Sequence, residues 1–125
     1  MKYNDLTRRY FEAAASAGQL SASEAYRGAA GNREHGTWVQ FDLRATSGTL
    51  QEVRFLAFAC PHTIAVSAWV AEQAVGMRLA RRLPSGVQAI SQQFAVPAEK
   101  LGRLLIVEDA WLAAIDAALG HSRID

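Results

Sequence analysis

Val53-Arg54-Phe55-Leu56-Ala57-Phe58-Ala59-Cys60-Pro61-His62-Thr63-Ile64-Ala65 is the stretch that decides the fold. An apolar strand runs out on a thiol, proline follows at a first helical position, and a helix of small residues begins. Downstream, Ile64, Ala68, Ala71 and Val75 recur at i, i+4, i+7 and i+11, which predicts a helix from about His62 to Val75, stopped by Gly76. Upstream, Val39, Phe41, Leu43 and Ala45 alternate with Gln40, Asp42 and Arg44, the period-two mark of a strand with one solvent face. Thr46-Ser47-Gly48-Thr49 reads as a turn and a second strand covers about Leu50 to Ala59, so the two strands form an antiparallel hairpin.

The flanks complete an α+β layout. Asp5 or Thr7 is expected to cap a short amphipathic helix through Leu6, Tyr10, Phe11 and Ala14, ending near Gly18. Ala25-Tyr26-Arg27 permits a weak strand, with Gly28, Gly31 and Asn32 as punctuation. After Gly76, Leu79 to Arg82 suggests a short helical turn, and Val87, Ile90 and Phe94 a helix of about two turns before Pro97. Leu101, Leu104, Leu105, Leu112, Ile115 and Leu119 then form an apolar stripe with Trp111, opposite Arg103, Asp109 and Asp116. A small antiparallel sheet of about three strands, with helices packed on one face, accounts for these elements as a single domain spanning 1–125.

Composition narrows the function. Thirteen Lys and Arg against twelve Asp and Glu leave a net charge of +1, and no basic block argues for nucleic acid. With 50% hydrophobic residues the chain is globular, and no apolar run approaches the roughly 18 residues that span a membrane. One cysteine makes no internal disulfide and Met1-Lys2-Tyr3-Asn4-Asp5 is no apolar signal region, so a cytoplasmic protein is expected. No Ser-His-Asp or paired-carboxylate spacing argues for a hydrolase, and three dispersed histidines do not suggest a closed zinc site. The chemistry that remains is at Cys60. A thiol at a helix N-terminus has its thiolate favoured by the helix dipole and unpaired backbone N–H groups. A small buried hydrophobe is the competing reading.

An ordered set of further features carries a resemblance. It comprises the hairpin, Val53-Arg54-Phe55 through Ala59-Cys60, Ile64-Ala65 with Ser67 and Glu72, Val75-Gly76, Val96-Pro97 with Lys100-Leu101, and Glu108-Asp109-Ala110 with Ala114-Ile115. Together they resemble the NifU-like (IscU-type) iron-sulfur cluster assembly scaffolds, collinearly from about Tyr3 to Leu119. The resemblance implies a non-enzymatic scaffold that handles iron, sulfur or a transient iron-sulfur cluster, with zinc as a substitute metal and a cysteine desulfurase or other assembly protein as partner. It also implies three cysteines, of which only Cys60 is present. His35, in Glu34-His35-Gly36-Thr37, stands where the first would precede Gly-Asp, and Gly102-Arg103 stands where the family has His-Cys.

These departures change the chemistry. A two-iron cluster usually takes four protein donors, mostly thiolates. Here Cys60 and His35 are half a ligand set, with His62 a third donor if its ring turns back toward the thiol. Arg103 is never a ligand: a permanent cation repels metal and attracts a thiolate, persulfide or other anion. One reading keeps a scaffold completed by donors from a second subunit or partner. Another makes Cys60 a nucleophilic sulfur acceptor, and a third makes the chain a metal-free protein-binding or regulatory module. His35 also reads as a polar loop residue beside Gly36, and Arg103 as a solvated helix residue. Val96-Pro97-Ala98-Glu99-Lys100 matches a segment that the family offers to an Hsp70-type chaperone. Glu99 weakens that contact, and Pro97 equally suits the first turn of a helix. Trp38 and Trp69 read as interface or core.

Overall fold

The computed structural model describes residues 3–12, 17–21 and 25–120. Four α-helices and a three-stranded sheet are built from them: α1 (Asp5–Glu12), β1 (Tyr26–Asn32), β2 (Thr37–Thr46), β3 (Thr49–Phe58), α2 (Pro61–Ala74), α3 (Val87–Gln93) and α4 (Leu101–Leu119). The sheet has the order β1-β2-β3 and is antiparallel throughout. Phe41 on β2 meets Trp111 on α4 edge-on at 5.2 Å between ring centroids, which places the helices and the core on that face. No helix among the described residues is long and apolar enough to cross a membrane.

The hairpin, α2 and α3 form where the sequence predicts them. The rest differs in instructive ways. α1 is capped by Asn4, whose side-chain oxygen accepts the Thr7 N–H at 2.8 Å, and neither Asp5 nor Thr7 is the cap. Thr7 is buried and donates its hydroxyl to the Phe94 carbonyl at 2.8 Å. The predicted continuation of α1 through Ala14 falls outside the described residues. No helical turn forms over Leu79–Arg82: this backbone lies against the hairpin turn, with Leu79 N–H donating to the Gly48 carbonyl at 2.8 Å.

β1 runs straight through the glycines that look like punctuation. The reason lies on α4, whose backbone passes so near that a Cβ at Gly28 would stand 2.0 Å from the Ala114 nitrogen. The apolar stripe of α4 is narrower than expected: Leu104, Val107, Trp111 and Ile115 face the core, while Leu105 and Leu119 are exposed.

The second face of β2 is not wet. Gln40 and Asp42 are buried, because residues 17–21 cross that face from β3 toward β1. Gly18 N–H donates to the Phe55 carbonyl at 2.8 Å, and Leu20 N–H to the Asp42 carboxylate at 2.9 Å. Asp42 also takes both arms of Arg27, at 2.7 and 3.0 Å, and the Gln40 amide at 3.3 Å. A buried carboxylate with these partners is satisfied, as burial demands.

Candidate functional site

Register brings the candidate residues to one end of the sheet. Trp38 at the start of β2 pairs with Phe58 at the end of β3, so the turn before β2 and the chain leaving β3 emerge together. α4 lies on β1 with Ile106 beside Gly31, which sets its first turn at that end too. Cys60 is separated from the end of β3 by one residue, Ala59, and is the N-cap of α2, with Pro61 at the first helical position and Ile64 N–H donating to the Cys60 carbonyl at 3.0 Å. A proline there costs nothing, since its missing N–H is one the helix would leave unpaired.

The thiol is half-buried, with Sγ 3.4 Å from the Thr63 hydroxyl. Burial pushes the Cys60 pKa up. The Thr63 hydroxyl and backbone N–H, together with the Arg103 guanidinium, more than offset that and hold it below the ordinary thiol value. Arg103, the residue standing where the resemblance puts a third cysteine, is therefore one of the groups that favour the thiolate.

His62 is 1% exposed. Its ring meets Tyr3 edge-on at 4.6 Å, and its Nδ1 lies 3.5 Å from the Lys100 ammonium. An ammonium can only donate, so Nδ1 accepts and the ring proton is assigned to Nε2. Burial, then the charges of Lys100 and Arg103, lower the His62 pKa and keep the ring neutral near neutral pH. That nitrogen is turned to a cation and is not offered to metal. His35 lies exposed on a 3-10 turn (Arg33–His35) at the same end.

Among the described residues no group of three His, Cys, Asp or Glu side chains is placed to hold a metal ion. One thiol does not supply the donors of a two-iron cluster. The segment matched to chaperone contact is a tight approach to α4: Val96 N–H donates to the Ser91 carbonyl at 2.9 Å, Lys100 N–H to the Pro97 carbonyl at 2.9 Å, and the Lys100 side chain turns to His62. Trp38 is half-buried under the Arg33 guanidinium, and Trp69 packs on Phe94.

Sequence reasoning missed Thr63, Tyr3 and the direction of Lys100. Thr63 had a signal: it occupies the third helical position after the cap, from which a side chain reaches back to the cap residue. Tyr3 and Lys100 are joined to the site only by folding.

Comparison with known proteins agrees with this architecture. A crystallised nitrogen-fixing NifU-like protein (N-terminal) from Brucella abortus superposes with a TM-score of 0.73 at 17% identity, covering 95% of each chain. A candidate iron-sulfur cluster assembly scaffold protein for the SUF system from Fervidobacterium islandicum AW-1 gives 0.70 at 14% identity, covering 90% of this chain and 96% of that one. In sequence, the chain is 31% identical over 77 residues to the iron sulfur cluster assembly protein 2, mitochondrial, of Saccharomyces cerevisiae. That match covers 62% of this chain and spans about half the length of the yeast protein (49%). The family model of the NifU-like N terminal domain matches residues 2–123. With that match running almost end to end over the same sheet and helices, the chain belongs to the NifU-like N terminal domain family.

Proposed function

We propose that this chain serves iron-sulfur cluster assembly as a non-catalytic, scaffold-like protein whose working group is the Cys60 thiolate, acting as a sulfur acceptor. Family membership supports the process, and the hold of Thr63 and Arg103 on the Cys60 thiol, which keeps its pKa below the ordinary value, supports the finer reading. A cation in that place favours an anionic sulfur species and opposes a metal ion. The donor is a persulfide on an assembly protein of the cysteine desulfurase class. The Cys60 thiolate attacks the outer sulfur of that persulfide, the Cys60 S–S bond forms, the donor S–S bond breaks, and the electron pair leaves with the donor thiolate. Oxidation states balance without a further reagent. Iron is cargo whose remaining ligands come from a partner protein, with His35 a candidate donor from this chain.

The test is anaerobic. Reduced protein is incubated with a desulfurase and cysteine, and its intact mass is compared with that of Cys60→Ala. Wild type gains one sulfur and the variant none. Parallel reconstitution with iron and sulfide leaves the isolated chain without a stable cluster spectrum. A thiol that alkylates readily yet never accepts sulfur overturns the proposal and leaves a protein-binding module. A cluster spectrum that depends on Cys60 overturns the preference for sulfur over cluster.

A further inference from the structure

We infer that the outer edge of β1 pairs with β1 of a second copy of this chain, in an antiparallel two-fold dimer centred on Ala29. The hydrogen bonding of the sheet fixes which groups face that edge. Gly18 N–H takes the Phe55 carbonyl at the outer edge of β3, so Phe55 points away from β2 and its neighbour Phe41 points its own backbone groups toward β1. Phe41 pairs with Gly28, so Gly28 and Ala30 bond to β2 while Arg27 and Ala29 turn their N–H and C=O outward. Among the described residues no backbone bond reaches those outward groups. The opposite edge of the sheet is occupied at two places, Phe55 by Gly18 and Leu50 by Gly76 and Met77, and β1 has no such occupant.

A second copy fits this edge better than an unrelated strand. α4 passes so close over β1, with the Ala113 and Ala114 backbone against Gly28, that an incoming strand must run beside that helix with little bulk on its inner face. β1 is itself such a strand, with Gly28 and Ala30 at those positions. A two-fold at Ala29 pairs the whole strand: Tyr26 stands opposite Asn32 of the other copy and Arg27 opposite Gly31, so no like charges meet. A two-fold at Arg27 would set guanidinium against guanidinium.

The same rotation brings the second α4 alongside the first. Its flank over β1 is uncharged: Ile106 lies against Gly31, Ala113 against Gly28, and Ala117 follows one turn on, all three half-buried. Small side chains there permit the closest helix packing, about 8 Å between axes. A seven-residue strand pair with one helix flank is a small interface, near the roughly 1,200 Å² where weak complexes lie, so association is expected at about 10–100 µM. The isologous pairing uses the same edge of both copies and closes at two. Because it is antiparallel, the Cys60 end of one copy lies beside the hairpin end of the other, and both thiols stay accessible.

The experiment uses the full chain under reducing conditions, which exclude a Cys60 disulfide. Sedimentation across a concentration series should show monomer and dimer and nothing larger. Amide hydrogen exchange by NMR should show the Arg27 and Ala29 amides gaining protection as the dimer forms, while those of Gly28 and Ala30, bonded to β2, stay unchanged. Ala29→Pro removes an outward N–H and no bond of the sheet, so the urea midpoint should hold while the dissociation constant rises about tenfold or more. In a Cys60→Ser background, Ala29→Cys should form an intermolecular disulfide on oxidation, since hydrogen-bonded opposite residues stand about 5.5 Å apart at Cα. A chain that stays monomeric overturns the inference: free exchange at Ala29 then leaves the edge to a strand of another protein, and protection there shows it covered within the chain. Species larger than a dimer overturn the two-fold closure, and a dimer that forms no disulfide at position 29 overturns the register. A dimer that folded Ala29→Pro does not weaken, or that leaves the Ala29 amide unprotected, overturns the edge.

Discussion

The two ends of the sheet are closed by different means. At the hairpin end, backbone meets backbone: Leu50 N–H donates to the Met77 carbonyl, Gly76 N–H to the Leu50 carbonyl and Leu79 N–H to the Gly48 carbonyl, each at 2.8 Å. At the other end side chains meet, Cys60 with Thr63 and His62 with Lys100, and the contacts are longer, at 3.4 and 3.5 Å. Backbone closure is nearly indifferent to residue type. Side-chain closure depends on what α4 delivers to the thiol. A family can therefore rewrite the chemistry of the second end at positions 35 and 103 while the first end keeps the hairpin in register, and a chain with one cysteine retains the fold.

The largest expected effect comes from unseating α4, which carries Arg103 while Lys100 immediately precedes it. Gly28→Val forces a side chain into the Ala114 backbone and should cost more than about 3 kcal/mol, read as a loss of urea midpoint or of folding altogether. Next is Asp42→Ala, which leaves the Arg27 guanidinium and the Leu20 N–H without their acceptor and should cost about 2 kcal/mol in the same measurement.

A smaller effect distinguishes the two ends by pH. The folded state holds His62 below its ordinary pKa, so the unfolded chain binds more protons as the medium acidifies through about pH 6.5. Stability is fully present above that range and falls below it. His62→Gln should remove this part of the pH dependence of the urea midpoint. Glu52 and Asp116, held low by Arg54 and Arg81, respond only at more acidic pH, where protonation removes their contribution. The smallest change sharpens the hairpin end. Ser47 and Gly48 both have positive φ, 53° and 78°, in a two-residue turn between paired Thr46 and Thr49. Asparagine suits the first position of such a turn, so Ser47→Asn should raise stability by about 0.5 kcal/mol.

What the sequence made legible follows the range of the forces involved. Local signals placed the hairpin, α2 between Pro61 and Gly76, and α3. β1 was obscure because Gly28 is explained by Ala114, far along the chain. The polar alternation of β2 looked like a solvent face because the groups that bury Asp42, Leu20 N–H and Arg27, belong to other segments. Leu105 and Leu119 joined the stripe on composition and left it on geometry. At the site, Cys60 was legible from its junction and Arg103 from its place in a resemblance, whereas the partner of His62 needed the approach of Lys100 from another element.

The crossing of residues 17–21 has a further consequence for how the protein behaves among its own copies. β3 is an outer strand, and an open outer strand offers its unpaired amides and carbonyls as a template for another chain. Ala17 makes a parallel bridge to Phe55, and Gly18 takes its carbonyl as acceptor. The middle of the exposed ladder is thus already occupied by the protein's own backbone, a plug against edge-to-edge aggregation, and the carboxylate of Asp42 is the clasp that keeps it seated.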